Sequence, residues 1–74
     1  MFKEHDTVAL TKDLPELALV AGDLGAIVHI YPDGRAYEVE FVSLDGTPLA
    51  LITLGADAIR PIAKREIASA RQVA

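Results

Sequence analysis

Hydrophobic and polar side chains alternate most cleanly in the middle of the chain. Tyr37, Val39 and Phe41 fall on one face of an extended segment, and Glu38 and Glu40 fall on the other. This pattern predicts a half-buried β-strand in which the first three side chains enter the core and the two glutamates face water. The orientation of every other predicted strand is assigned relative to this one.

Four further segments have the β-branched and apolar composition of strands, with Gly, Asp and Pro between them. The five predicted strands are Thr7–Leu10, Ala26–Tyr31, Ala36–Val42, Leu49–Leu54 and Ala58–Pro61. In a chain this short they predict an all-β fold, a five-stranded, partly open antiparallel barrel, because closing a sheet encloses a core and removes exposed edges.

The connections between these strands carry turn signals. Asp33-Gly34 and Asp45-Gly46 predict tight turns, since Asp-Gly between two strand patterns favours a hairpin. The long first loop contains Pro15 and a short apolar stretch, 17–21, which cannot form a helix alone and is expected to fold against the barrel.

The C-terminal segment, residues 62–74, is rich in Ala, Lys, Arg, Glu and Gln, which favour helix. We predict a barrel over residues 1–61 and a helical or flexible tail over 62–74. An isolated helix of about three turns is marginal in water, so the tail should either dock through Ile67, Ala70 and Val73 or fray.

Composition limits the class of protein. With 74 residues, 51% apolar and 24% charged, the chain has room for one folded domain. It has no cysteine, which excludes disulfides and thiolate metal sites. No apolar run reaches the roughly 20 residues of a membrane span, and the N-terminus lacks the pattern of a secretory signal, so a cytoplasmic location is expected.

Charge is distributed unevenly around a net value of -4. Up to residue 61 there are four basic and ten acidic side chains, whereas the tail has three basic and one acidic. An acidic barrel repels phosphate backbones, so we expect no nucleic-acid binding by the barrel. The mildly basic tail keeps a nucleic-acid-associated role as a remote alternative.

The polar side chains do not form a catalytic or metal-binding pattern. His5 lies between two carboxylates, but neighbouring residues of an extended chain point to opposite faces. Glu38 and Glu40 resemble a carboxylate pair about 7 Å apart, yet a barrel this small has no cleft that would raise one pKa. We predict no enzyme activity, no cofactor and no metal.

In the predicted second and fourth strands, the side chains on both faces are largely apolar. A small barrel can bury only one of these two faces in its core. Their second face needs a cover, which could be the first loop, the tail helix, a second copy of the chain or another protein. We take this outer face as the candidate partner-binding surface. It comprises Ile27, His29, Tyr31, Glu38, Glu40, Ala50 and Ile52. For His29 the alternative is a partly buried residue at the barrel rim.

A family resemblance covers residues 4–61. The segment from Gly22 to Phe41, GDLGAIVHIYPDGRAYEVEF, resembles the signature of a bacterial family catalogued as domain of unknown function 4926, and so do Asp6-Thr7-Val8, 11–15 (TKDLP) and Ile59-Arg60-Pro61. The resemblance implies an SH3-like barrel of the KOW type and brings no established activity. Family members look like neighbours of toxin-type proteins, which implies an immunity or antitoxin role.

Two functions follow as hypotheses. The first is a small non-catalytic protein-binding module whose acidic rim, Glu38 and Glu40, steers a basic partner. The second is a structural or homo-oligomeric accessory domain whose outer apolar face is buried against a second copy. In both, a protein partner or self-association is expected, and no membrane.

Overall fold

Five strands form one antiparallel sheet in a computed structural model that describes residues 2–73. They are β1 (Thr7–Leu10), β2 (Leu24–Ile30), β3 (Tyr37–Val42), β4 (Pro48–Leu54) and β5 (Ile59–Pro61). Three short 3₁₀ turns, Pro15–Leu17, Pro32–Gly34 and Ala56–Ala58, lie in the connections. The all-β class is confirmed, and all five predicted strands are present with ends within two residues of the expectation.

The strand order across the sheet is β4-β3-β2-β1-β5. The middle strands form a meander, and β5 returns along the free side of β1 as the sequence predicts. Within the described residues β4 and β5 do not pair with each other, so the sheet is open and these two strands are its edges. No helix in residues 2–73 is long and apolar enough to cross a membrane.

The core lies on one face of the sheet and centres on β3. Tyr37, Val39 and Phe41 are at most 3% exposed, whereas Glu38 and Glu40 are half-buried on the opposite face. The predicted register of β3 is therefore confirmed. The buried cluster comprises Val8, Leu10, Leu19, Ile27, Tyr37, Val39, Phe41, Leu54, Ala58 and Ile59.

Gly25 allows β2 to approach this core closely. A Cβ at this position would lie 2.7 Å from Val39 Cγ1 and 2.8 Å from Phe41 Cε1, distances that side chains do not tolerate. Three residues earlier, Gly22 has a φ of 94° in the turn that enters the strand. Gly22 thus permits the turn, and Gly25 permits the close approach of the β2 backbone to the core.

A β-bulge in β2 changes, part-way along the strand, which alternate side chains face the core. The register with β3 shifts between Ile27 and His29. Ile27 lies opposite Val39 and Ile30 opposite Tyr37, so both isoleucines face the core although simple alternation puts them on opposite faces. The prediction that Ile27 shares the outer face with His29 was wrong, because strict alternation fails at a bulge.

The set of β4 side chains that faces the core is the opposite of the predicted one. Ala50 pairs with Phe41 and Ile52 pairs with Val39, and both half-buried side chains pack against the core cluster from the edge of the sheet. The prediction that Ala50 and Ile52 lie on the outer face was wrong. Both alternate sets of β4 are apolar, so only the pairing with β3 decides which set faces inward.

The long first loop folds against the sheet, as predicted. Leu14 and Leu19 form an isolated bridge, and the Leu19 side chain is 2% exposed in the core. The Asp13 carboxylate accepts a 2.9 Å hydrogen bond from the Ala21 N–H. These contacts give the loop a fixed shape without regular secondary structure.

The predicted C-terminal helix is absent from residues 62–73. This segment contains one turn, at Lys64-Arg65, and is otherwise irregular. The tail was expected either to dock as a helix or to fray; Ile67 is 91% exposed, so docking through it was wrong. About three helical turns are marginal without an apolar face to bury, and charged side chains hold the chain in another path. Ala74, the last residue of the predicted tail, lies outside the described residues.

The opposite environments of neighbouring β3 positions predict opposite effects of mutation. We expect Phe41→Asp or Val39→Asp to lower the free energy of unfolding by more than about 3 kcal/mol, because a buried charge would lack a partner. Glu40→Gln, the matched control on the same strand, should change it by less than about 0.5 kcal/mol. Chemical denaturation followed by circular dichroism measures both, and similar losses in the two classes would contradict the assigned register.

Candidate partner-binding surface

The outer face of the sheet is organised around the two glutamates of β3. Glu40 lies between Ala26 of β2 and Leu51 of β4, which are its paired neighbours. Pairing is what places these side chains together, since residues directly opposite in antiparallel strands point to the same side. The Glu40 side chain therefore has an apolar neighbour on each adjacent strand.

A polar cluster occupies one end of this face. Glu38 Oε1 accepts hydrogen bonds from Thr53 Oγ1 at 2.6 Å and from the Tyr31 hydroxyl at 3.1 Å. The His29 ring packs edge-on against the Tyr31 ring with centroids 4.8 Å apart. These contacts hold the Glu38 carboxylate in one position on the surface, where a basic side chain can approach it.

Exposed apolar side chains extend away from the glutamates. Leu51 is 57% exposed, Val42 47%, Leu24 42% and Leu49 40%. They belong to three adjacent strands, and a shallow depression lined by Leu24, Glu40 and Val42 joins the acidic and apolar parts. An apolar patch rimmed by charge is typical of a protein interaction surface.

The structure brings together four of the seven predicted surface residues. His29, Tyr31 and Glu38 are in contact, and Glu40 is on the same face. The remaining three, Ile27, Ala50 and Ile52, lie on the inner face. Whether the four outer residues contact a partner stays a prediction.

Sequence reasoning missed the apolar half of this face. Val42 follows Glu38 and Glu40 in steps of two, so the alternation already indicated an outward position for it. For Leu49 and Leu51 no such signal exists, because the other set of β4 is equally apolar. A second register shift, between Phe41 and Val42, adds to the ambiguity.

The tail is held along this side of the molecule by two Arg–carboxylate pairs. Arg60 Nη1 and Nη2 donate to the two carboxylate oxygens of Glu66 at 2.8 and 2.6 Å, and the Ala63 N–H donates to the same group at 2.7 Å. Further along, Arg71 binds the carboxylate of Asp23, which precedes β2. The tail, Leu24 and Leu49 line one open cleft.

These pairs shift the acidity of their carboxyl groups. The hydrogen bond from Arg60, aided by the Ala63 N–H, lowers the pKa of Glu66 from 4.5 to about 2. The hydrogen bond from Arg71 lowers the pKa of Asp23, and the Val20 N–H acts in the same direction. Both carboxylates are therefore charged at neutral pH and stay bound to their arginines.

Within residues 2–73, no three His, Asp or Glu side chains are grouped closely enough to share a metal ion. His5 is exposed at the N-terminus with a φ of 74°, and its backbone N–H donates to the Ile27 carbonyl.

Comparison with known proteins identifies the family. The model of the family described as Domain of unknown function (DUF4926) matches residues 4–61. The chain belongs to this family. No curated protein matches the chain, and no solved structure does. The DUF4926 match contains all five strands and both glutamates of the outer face, whereas the tail after residue 61 lies outside it.

The lowered pKa of Glu66 predicts how the tail responds to acid. A carboxyl whose folded pKa is depressed stabilises its contact fully above pH 4.5, and the contact is lost as pH falls toward 2. Carboxyl ¹³C shifts in an NMR titration should therefore give Glu66 a pKa of about 2. In Arg60→Gln this value should rise toward 4.5. A pKa that is the same in both proteins would contradict the pairing.

Proposed function

We propose that this protein is a small non-catalytic protein-binding module with an SH3-like barrel of the KOW type. The strand order, a central meander with the first and last strands paired at one side, supports a partly open barrel. The family resemblance implies the same fold. In this proposal the barrel is a scaffold, and the outer face of β2, β3 and β4 is the binding surface.

The observation that carries the proposal is the combination of exposed leucines and acidic groups on one face. Leu51 is 57% exposed beside Glu40, on the face of the sheet opposite to the core. Leaving such side chains in water forgoes about 25 cal/mol for each Å² of apolar surface that could be buried. A partner that covers them recovers this free energy.

Charge specifies the kind of partner. Ten acidic and four basic side chains precede residue 62, and two of the acidic ones lie on the outer face of β3, between β2 and β4. Such a surface attracts a basic protein and raises its rate of association. We therefore propose a basic protein partner in the cytoplasm, of which a bacterial toxin neutralised by an immunity or antitoxin protein is one class.

The acidic rim is tested by reversing its charge. We expect Glu38→Lys/Glu40→Lys to lose proteins that the wild-type chain captures from native cell lysate, with a melting temperature within a few degrees. Glu4→Lys/Glu16→Lys, the control, makes the same change in charge at exposed positions elsewhere. Quantitative mass spectrometry compares the captured proteins. Equal capture by both variants would contradict a specific role of the rim.

Self-association is the second candidate function, and the edge strand β4 favours it. Its seven residues, Pro48–Leu54, contain no charged side chain. Charged residues are a common device against edge-to-edge pairing, so an uncharged edge is open to another strand. Leu51 is at the middle of β4, where antiparallel pairing of two copies would bring the two leucines together.

Light scattering distinguishes the two functions. If β4 pairs with a second copy, the wild-type protein is a dimer at micromolar concentration and Leu51→Lys is a monomer. Leu44→Lys serves as the control, because Leu44 is 95% exposed in the β3–β4 turn. A wild-type monomer throughout this range excludes the dimer and leaves the binding module.

A further inference from the structure

The first loop forms a receptor for one guanidinium group. Arg71 Nε donates to Asp23 Oδ1 at 3.0 Å, and Arg71 Nη2 donates to Asp23 Oδ2 and, at 3.0 Å, to the Ala18 carbonyl. Three acceptor atoms from two residues thus surround one edge of the group. A planar fork fits this arrangement, because its Nε and Nη2 can form two parallel hydrogen bonds to the carboxylate, which the single nitrogen of a lysine ammonium cannot.

The receptor is shaped by contacts that do not involve the tail. The Val20 N–H donates to Asp23 Oδ2 at 2.9 Å, and the backbone of Asp23 accepts a 2.9 Å hydrogen bond from the Leu10 N–H. Ala18 has a φ of 58°, a left-handed conformation that ends the 3₁₀ turn Pro15–Leu17. With Arg71 in place the Asp23 side chain is only 19% exposed, so the pair is partly shielded from water.

The segment that carries Arg71 is irregular and mostly exposed. Between Glu66 and Arg71 the tail forms no regular secondary structure, and Ile67 is 91% exposed. Its other anchor is the Arg60–Glu66 ion pair, which is open to solvent and therefore screened. Arg71 makes the hydrogen bonds that join residues 67–73 to the first loop and to Asp23.

We propose that the Asp23 carboxylate and the Ala18 carbonyl form an arginine-binding site. In the free chain Arg71 fills it, and in a complex the arginine of an extended peptide segment from a partner takes its place. Releasing Arg71 also frees the tail that lines the cleft beside Leu24 and Leu49. The site is formed by the loop before β2, so it stands independently of the role proposed for Glu38 and Glu40.

The site is tested with a synthetic peptide that has the sequence of residues 62–74, added to full-length protein and followed by the amide NMR signals of Val20 and Asp23. In the Arg71→Gln protein we expect saturable shifts with a dissociation constant in the millimolar range. In wild type the tethered Arg71 competes at a millimolar effective concentration, so binding should be several-fold weaker.

Two controls separate recognition of arginine from general attraction. Asp23→Asn in the Arg71→Gln protein retains an acceptor for the Val20 N–H but removes the charge, and it should abolish the shifts. A peptide with Arg71→Gln retains its other two basic residues and should not shift these signals. Absence of saturable shifts in the Arg71→Gln protein, or equal shifts with the two peptides, would overturn the proposal. Neither outcome bears on the Glu38/Glu40 capture experiment.

Discussion

The structure depends on the burial of Tyr37, Val39 and Phe41 along one side of β3. These side chains fill the space between β2, β4 and the first loop, and the missing side chain of Gly25 leaves room for the Phe41 ring. Because successive residues of a strand point to opposite sides, the same constraint forces Glu38 outward. The core and the candidate binding surface are thus two consequences of one alternating segment.

The character of the outer face follows from which side chains the core leaves uncovered. The sheet buries one face in a core to which all five strands and the first loop contribute, so apolar side chains on the other face are left to solvent or to a partner. The tail, held by the Arg60–Glu66 and Arg71–Asp23 pairs, leaves Leu51 57% exposed. The outer face therefore combines uncovered leucines with the two glutamates of β3.

The sequence predicted the strands well because their signals are local. Asp45-Gly46 marks the third turn, in which Gly46 has a φ of 88°, and Pro15 marks the first loop. Which side chains of β2 and β4 face the core could not be predicted. A bulge after Ile27 changes which residues face inward, and in β4 both alternate sets are apolar, so the choice rests on pairing with a distant strand.

The tail also escaped prediction, for a different reason. Its composition favours helix, but local propensity is a weak force in a segment of this length. The contacts that fix its path join Arg71 to Asp23, which is 48 positions away in the chain. No spacing rule links these two residues in the sequence.

Cysteine accessibility along β3 and β4 tests the assigned inner and outer faces most directly, since the chain has no cysteine of its own. Single substitutions Tyr37→Cys, Val39→Cys, Glu40→Cys, Leu51→Cys and Ile52→Cys are reacted with a maleimide under native conditions. Position 51 should react rapidly, positions 40 and 52 more slowly, and positions 37 and 39 only upon unfolding. Rapid labelling at 37 or 39, or protection at 40, would contradict the orientation on which the binding surface depends.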